Sequence, residues 1–215
     1  RNPVEVVATS KTAAFFGTTT AAIQYRKFIK TDPKLLIAMV IPAFIGAAFG
    51  ALFASRISAE SFKSSIFFMM IAIFIYTLLK PDLGKVNVEK HSPKKMMVIG
   101  SIAACLIGFY DGLIGPGTGT MLMIALVAIM GFAFVGASAI AKVVNATTNL
   151  ASIIVIGFSL GIMWKLGLVL AVANLAGGYM GSHMAIKKGS SFIRIFYLIV
   201  TALLILRLGY SLYIE

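Results

Sequence analysis

Long uninterrupted runs of apolar residues are the feature that most constrains the fold of this 215-residue chain. Runs such as 35–54 and 62–79 are close to the ~20 residues that an α-helix needs to cross a bilayer. Hydrophobic residues make up 60% of the chain, whereas a soluble domain has about 45–50%. Because the runs lack the alternation of barrel strands, the sequence predicts an all-α integral membrane protein.

The charges exclude several classes of function. The chain has 19 Lys and Arg against 7 Asp and Glu, but these basic residues lie in short segments between apolar runs, which excludes a nucleic-acid-binding surface. The single Cys105 excludes a disulfide framework. Neither His91 nor His183 has a metal-ligand neighbour one helical turn away. The sequence therefore predicts no metal site, no cofactor and no enzyme.

The two halves of the chain resemble each other, and the polar segment 80–95 separates them. A shift of 131 residues superposes Lys11 on Lys142, Gly46 on Gly177 and Gly50 on Gly181. We expect each Gly-x-x-x-Gly pair to serve close helix packing in lipid rather than gating.

This repeat predicts the domain organisation of a secondary transporter. Residues 1–80 form a first repeat, 81–95 a cytoplasmic linker, and 96–215 a second repeat with inverted topology. Segment 96–134 has no counterpart in the first half, and its number of crossings stays open. We expect roughly 35–40 further residues, forming a Gly-rich broken helix, to precede Arg1.

Two lysines interrupt apolar runs at equivalent positions of the repeat. A charge at the bilayer centre costs about 2.5–3.5 kcal/mol on insertion scales, so Lys11 and Lys142 mark candidate functional sites. Hydroxyl and amide groups lie near both lysines in the sequence, and a cation among such donors suits an oxyanion. The predicted substrate-binding residues on these two helices are Ser10, Lys11, Thr12, Lys142, Asn145 and Asn149.

A Gly-Pro-Gly-Thr-Gly segment at 115–119 predicts a broken helix. Irregular backbone at membrane depth is tolerated where it is buried or lines a cavity, and the free N–H groups of a restarting helix attract anions. Gly117, Thr118 and Gly119 are therefore further substrate-binding candidates. Tyr110 and Asp111 precede the break and are candidates for proton coupling or for a counter-ion.

Alternatives to an anion site stay open at this point. Lys142 could form a structural ion pair with Asp111 or extend towards the membrane surface, and the break could be an ordinary turn. A membrane scaffold that transports nothing would have a filled interior around both lysines. The transport hypothesis instead predicts that Lys11 and Lys142 line one shared cavity.

The motifs at 108–119, at 142–149 and at 8–12 resemble the sulfite exporter TauE/SafE family, and the likeness extends over essentially the whole chain. The resemblance implies multi-pass carriers in the bacterial inner membrane for sulfur-containing anions such as sulfite, organosulfonates and sulfoacetate. The resemblance also implies that the first helix of the family, which carries a Gly-rich motif, should precede Arg1.

These observations predict a secondary transporter of a small oxyanion, with the anion and membrane lipid as its partners. Most lysines and arginines outside the apolar runs fall on one side of the predicted topology, together with the central loop, which places that loop in the cytoplasm. The identity of the anion, the direction of transport, the coupling ion and the formation of a homo-oligomer stay open.

Overall fold

The computed structural model describes residues 3–54, 60–88, 90–157 and 162–213, and helices form most of them. The helices are α1 (Pro3–Phe28), α2 (Pro33–Phe53), α3 (Glu60–Leu79), α4 (Pro93–Leu113), α5 (Thr118–Ile124), α6 (Phe134–Ser152) and α7 (Trp164–Tyr213). A π-helical turn extends α5 over Ala125–Ile129, and another extends α6 over Ile153–Gly157. The predicted all-α fold is confirmed.

Within the described ranges, four helical segments are long and apolar enough to cross a membrane: Pro33–Phe53, Pro93–Leu113, Phe134–Gly157 and Trp164–Leu212. The last contains a break at Gly189, whose φ of 77° and ψ of −171° are not helical. This break divides α7 into a first arm, 164–188, and a second arm, 190–213. The helix Thr118–Ile129 is shorter than the ~20 residues of a full crossing.

Turn residues define where α2 begins. Asp32 lies at the N-cap, and its Oδ1 accepts a hydrogen bond of 2.9 Å from the backbone N–H of Lys34. Pro33 follows in the first turn, where its missing N–H costs no helical hydrogen bond.

Helix α6 lies at the centre of the bundle, where it packs against α1, α2, α4, α5 and α7. Phe134, Ile140 and Val144 of α6 are all buried in the main apolar core. The position of α6 matters for function because it carries Lys142 into the interior of the protein.

Small residues let α2 and α4 pack backbone to backbone. A Cβ atom added to Gly50 would lie 2.0 Å from the carbonyl oxygen of Phe109, and one added to Gly112 would lie 2.0 Å from that of Ala47. Gly46 approaches the Cys105 carbonyl in the same way. The predicted packing role of Gly46 and Gly50 is confirmed.

The equivalent pair on α7 behaves differently, and the packing role predicted for it is wrong. A Cβ atom added to Gly177 or Gly181 would meet no atom of the described residues within 4 Å. Both glycines instead line a cavity. On this helix the close contact between backbones occurs at Gly178, where an added Cβ atom would lie 2.3 Å from the carbonyl oxygen of Gly17 on α1.

We expect Gly50→Ala to destabilise the protein by about 1–3 kcal/mol, since its methyl group forces α2 and α4 apart. Gly181→Ala is the matched control at the equivalent repeat position, and we expect it to be neutral or slightly stabilising because alanine favours helix. Thermal unfolding of both variants in detergent measures the difference. Equal melting temperatures would contradict the assigned packing.

Candidate functional site

The break between α4 and α5 is built from glycines in left-handed backbone conformations. Gly115 has a φ of +94° and Gly117 a φ of +86°, which L side chains rarely adopt. The phenol of Tyr110 donates a hydrogen bond to the carbonyl oxygen of Pro116 and so ties the end of α4 to the break. The predicted interruption of the helix is confirmed.

Lys11 and Asp111 form a buried ion pair beside this break. Lys11 Nζ lies 2.7 Å from Asp111 Oδ1 and donates a second hydrogen bond, of 2.6 Å, to the Asp111 backbone carbonyl. The two side chains are 6% and 3% exposed. Asp111 therefore acts as the counter-ion of Lys11 and not of Lys142.

Thr118 and Gly115 complete the surroundings of this pair. Thr118 Oγ1 donates a 2.6 Å hydrogen bond to Asp111 Oδ1, which ties the start of α5 to the end of α4. A Cβ atom on Gly115 would lie 2.8 Å from Lys11 Nζ, so only glycine leaves room for the ammonium group. We call Lys11, Asp111 and Thr118 the latch, because together they hold α1, α4 and α5 at the break.

Lys142 lies in a different place, on the wall of a cavity of about 480 Å³. Gly117 and Gly119 of the break line the same cavity, as do Ser138 of α6 and Gly177 and Gly181 of α7. Within the described ranges, Lys142 has neither an ion-pair partner nor a hydrogen-bond partner. It is therefore a cation available to a bound anion.

The two lysines do not share this cavity, contrary to the prediction. Lys11 is not among the residues that line the cavity, and its ammonium group is paired with the Asp111 carboxylate. The break lies between the two sites. The latch residue Thr118 contacts Asp111, while its neighbours Gly117 and Gly119 border the cavity of Lys142.

The other predicted residues lie around these sites without lining the cavity. Ser10 is exposed and donates to the carbonyl of Val7, whereas Thr12 is buried and donates to that of Ala8. Asn149 is buried and donates to the Asn145 carbonyl at 2.8 Å. These side chains therefore make hydrogen bonds within their own helices.

Asn145 lies next to the start of α5. Its Nδ2 would lie 3.5 Å from a Cβ atom added to Gly119, which places its amide against the start of α5. The residues of the predicted polar face of α6 thus have different neighbours. Lys142 lines the cavity, whereas Asn145 contacts the start of α5.

Some cavity residues are absent from the sequence prediction. Ser138 lies one turn before Lys142 on α6, so helical spacing could have identified it. Tyr25 and Tyr197 come from α1 and α7, and no local pattern links them to Lys142. No group of three or more His, Cys, Asp or Glu residues suited to a metal ion occurs in the described part of the chain.

Comparison with known proteins now identifies the family. Residues 2–208 match the family model described as sulfite exporter TauE/SafE. The chain belongs to this family.

Its relatives are named as membrane transporters. The chain is 33% identical to the probable membrane transporter protein ORF9 of Sinorhizobium sp, over 96% of this chain and 78% of the relative. It is 33% identical to the probable membrane transporter protein YfcA of Escherichia coli K12, over 98% of this chain and 77% of the relative. No solved structure matches the chain. The protein is thus an integral membrane transporter with a small-molecule substrate, and its family is not an enzyme class.

The latch predicts a difference in stability between the two lysine positions. We expect Lys11→Met to destabilise the protein by about 3–5 kcal/mol, because it leaves the buried Asp111 carboxylate without its counter-ion. Lys142→Met is the matched control and should leave stability unchanged or raise it, since it removes a charge that has no such partner in the described ranges. Chemical denaturation of both purified variants provides the comparison.

The double variant Lys11→Met/Asp111→Leu separates charge from packing. Replacing both members of a buried ion pair by apolar residues is often tolerated, so we expect it to recover much of the lost stability. A Lys11→Met variant as stable as the unmodified protein would contradict the latch.

Proposed function

We propose that this protein is a secondary transporter that exports or exchanges small sulfur-containing oxyanions, of the class of sulfite, organosulfonates and sulfoacetate. The observation that carries the proposal is the Lys142 ammonium group, which lies on the wall of a cavity of about 480 Å³ and has no partner among the described residues. An unpaired cation inside a membrane protein is costly unless an anion or water offsets it. A bound oxyanion provides that offset through charge-assisted hydrogen bonds.

The break supplies the second wall of the proposed binding site. Gly117 and Gly119 border the cavity without side chains, so an anion can approach their backbone closely. Ser138 adds a hydroxyl group on the same helix face as Lys142. In this proposal Lys142, Gly117 and Gly119 contact the substrate, and Asn145 supports the start of α5.

The latch has a positioning role in the proposal. Lys11, Asp111 and Thr118 hold the break so that Gly117 and Gly119 face the cavity. Asp111 Oδ2 is buried and has no hydrogen-bond partner among the described residues, which makes it the candidate site for a coupled proton, next to Tyr110.

The cavity favours transport over the alternative of a membrane scaffold. A scaffold would have side chains filling the interior around both lysines, and only Lys11 has such surroundings.

We further propose that the protein lies in the bacterial inner membrane, with the central loop in the cytoplasm. The lysines of that loop, including Lys85 and Lys90, support this orientation.

Ligand-dependent thermal unfolding of the purified protein tests the proposal. At 100 times its Kd, a bound anion stabilises the folded state by about 2.7 kcal/mol. We expect such a shift with sulfite or a small sulfonate, and its loss in Lys142→Gln. Lys165→Gln is the control, since it removes an exposed lysine that does not line the cavity. An unchanged shift in Lys142→Gln would refute the site.

A further inference from the structure

The cavity at Lys142 is much larger than a simple oxyanion requires. Its volume of about 480 Å³ falls within the range of roughly 300–1,000 Å³ that is typical of sites for drug-sized organic ligands. One water molecule takes up only about 30 Å³ of the liquid. An ion of four or five heavy atoms would leave most of this space to be filled by something else.

The wall formed by the second arm of α7 is apolar. Phe192, Phe196, Val200 and Leu204 line the cavity at helical spacings of four residues, so they lie along one face of the arm. The rings of Phe192 and Phe196 stack with their centroids 6.1 Å apart. This face offers a continuous hydrophobic surface next to the polar wall of α5 and α6.

One polar group of this cavity lacks a partner in the described part of the chain. Lys142 supplies a positive charge without a counter-ion. Tyr197 also lines the cavity, but its hydroxyl group lies beside those of Thr77 and Thr201. Buried polar groups in native proteins are nearly always hydrogen-bonded, so Lys142 indicates a ligand with a negatively charged end.

We propose that the cavity takes an organic anion with a single apolar chain, whose headgroup binds Lys142 and whose chain lies along the second arm of α7. This inference rests on the proposed function and extends it, because the substrate is recognised by its chain as well as by its charge. The same chemistry occurs in an anionic lipid headgroup with its acyl chain, and the test below separates the two sources.

A series of linear alkanesulfonates provides the test. Ethane-, butane- and hexanesulfonate are titrated, below their micellar concentrations, into the protein in phosphatidylcholine nanodiscs, with empty nanodiscs as the blank. Each fully buried methylene group strengthens binding by about fourfold. We expect affinity to rise by about twofold to fourfold per methylene group up to hexanesulfonate. Hexyltrimethylammonium has the opposite charge and should not bind.

Two variants separate the headgroup from the chain. We expect Lys142→Gln to weaken every sulfonate by a similar factor. Phe196→Ala should weaken hexanesulfonate by about fivefold or more and leave ethanesulfonate unchanged, because only the longer chain reaches that ring. Phe49→Ala is the matched control: Phe49 is 56% exposed, close to the 58% of Phe196, but lies on α2 and does not line the cavity.

The outcomes distinguish this inference from the proposed function. Sulfite and ethanesulfonate binding that depends on Lys142, without tighter binding of longer chains, would overturn the inference and leave the oxyanion transporter intact. If neither sulfite nor any of the sulfonates binds in a way that depends on Lys142, both the proposed function and this inference are overturned. If phosphatidylglycerol in the nanodiscs abolishes hexanesulfonate binding, the occupant is a membrane lipid, and a free organic anion as substrate is refuted.

Discussion

The ion pair between Lys11 and Asp111 is the interaction on which the arrangement of the interior depends. It joins α1 to the end of α4 at the point where the helix is interrupted, and Thr118 extends the contact to α5. A lysine at this depth needs a counter-ion, and a carboxylate needs a donor. Because each charge compensates the other, both side chains can stay buried beside the broken backbone.

Close helix packing brings the break to its position. Gly50 and Gly112 let α2 and α4 approach until their backbones are in contact, which places the end of α4 next to α1 and α6. On α7 the equivalent glycines, Gly177 and Gly181, have no such neighbour among the described residues and border the cavity. The same small-residue pattern thus produces a tight interface in one half and an open wall in the other.

The difference between the two lysines follows from this asymmetry. Lys11 is neutralised by Asp111, so its charge serves the structure of the break. Lys142 has no carboxylate partner in the described ranges and faces a cavity bordered by Gly117 and Gly119. Two lysines at equivalent positions of the 131-residue sequence shift therefore have different surroundings. Thr118 contacts Asp111 while its neighbours border the cavity, so the break lies between the ion pair and the cavity of Lys142.

Much of the fold could be predicted from local patterns. The length of the apolar runs predicts spanning helices, and Pro116 between glycines predicts the break, since both depend on properties of a few neighbouring residues. The roles of individual site residues were harder to predict from the sequence. Ser10 and Thr12 lie beside Lys11 in the sequence, yet their hydroxyl groups bond to the backbone of their own helix.

The sequence by itself therefore determined that most of this protein lies in lipid, where its helices run, and that two lysines interrupt apolar runs. Hydropathy and helix-breaking residues determine these features within a single turn or span. The tertiary structure alone decided which lysine Asp111 neutralises and which glycines pack or border the cavity. Those outcomes depend on distances of a few ångströms between helices that are far apart in the chain. No spacing along the sequence encodes such distances.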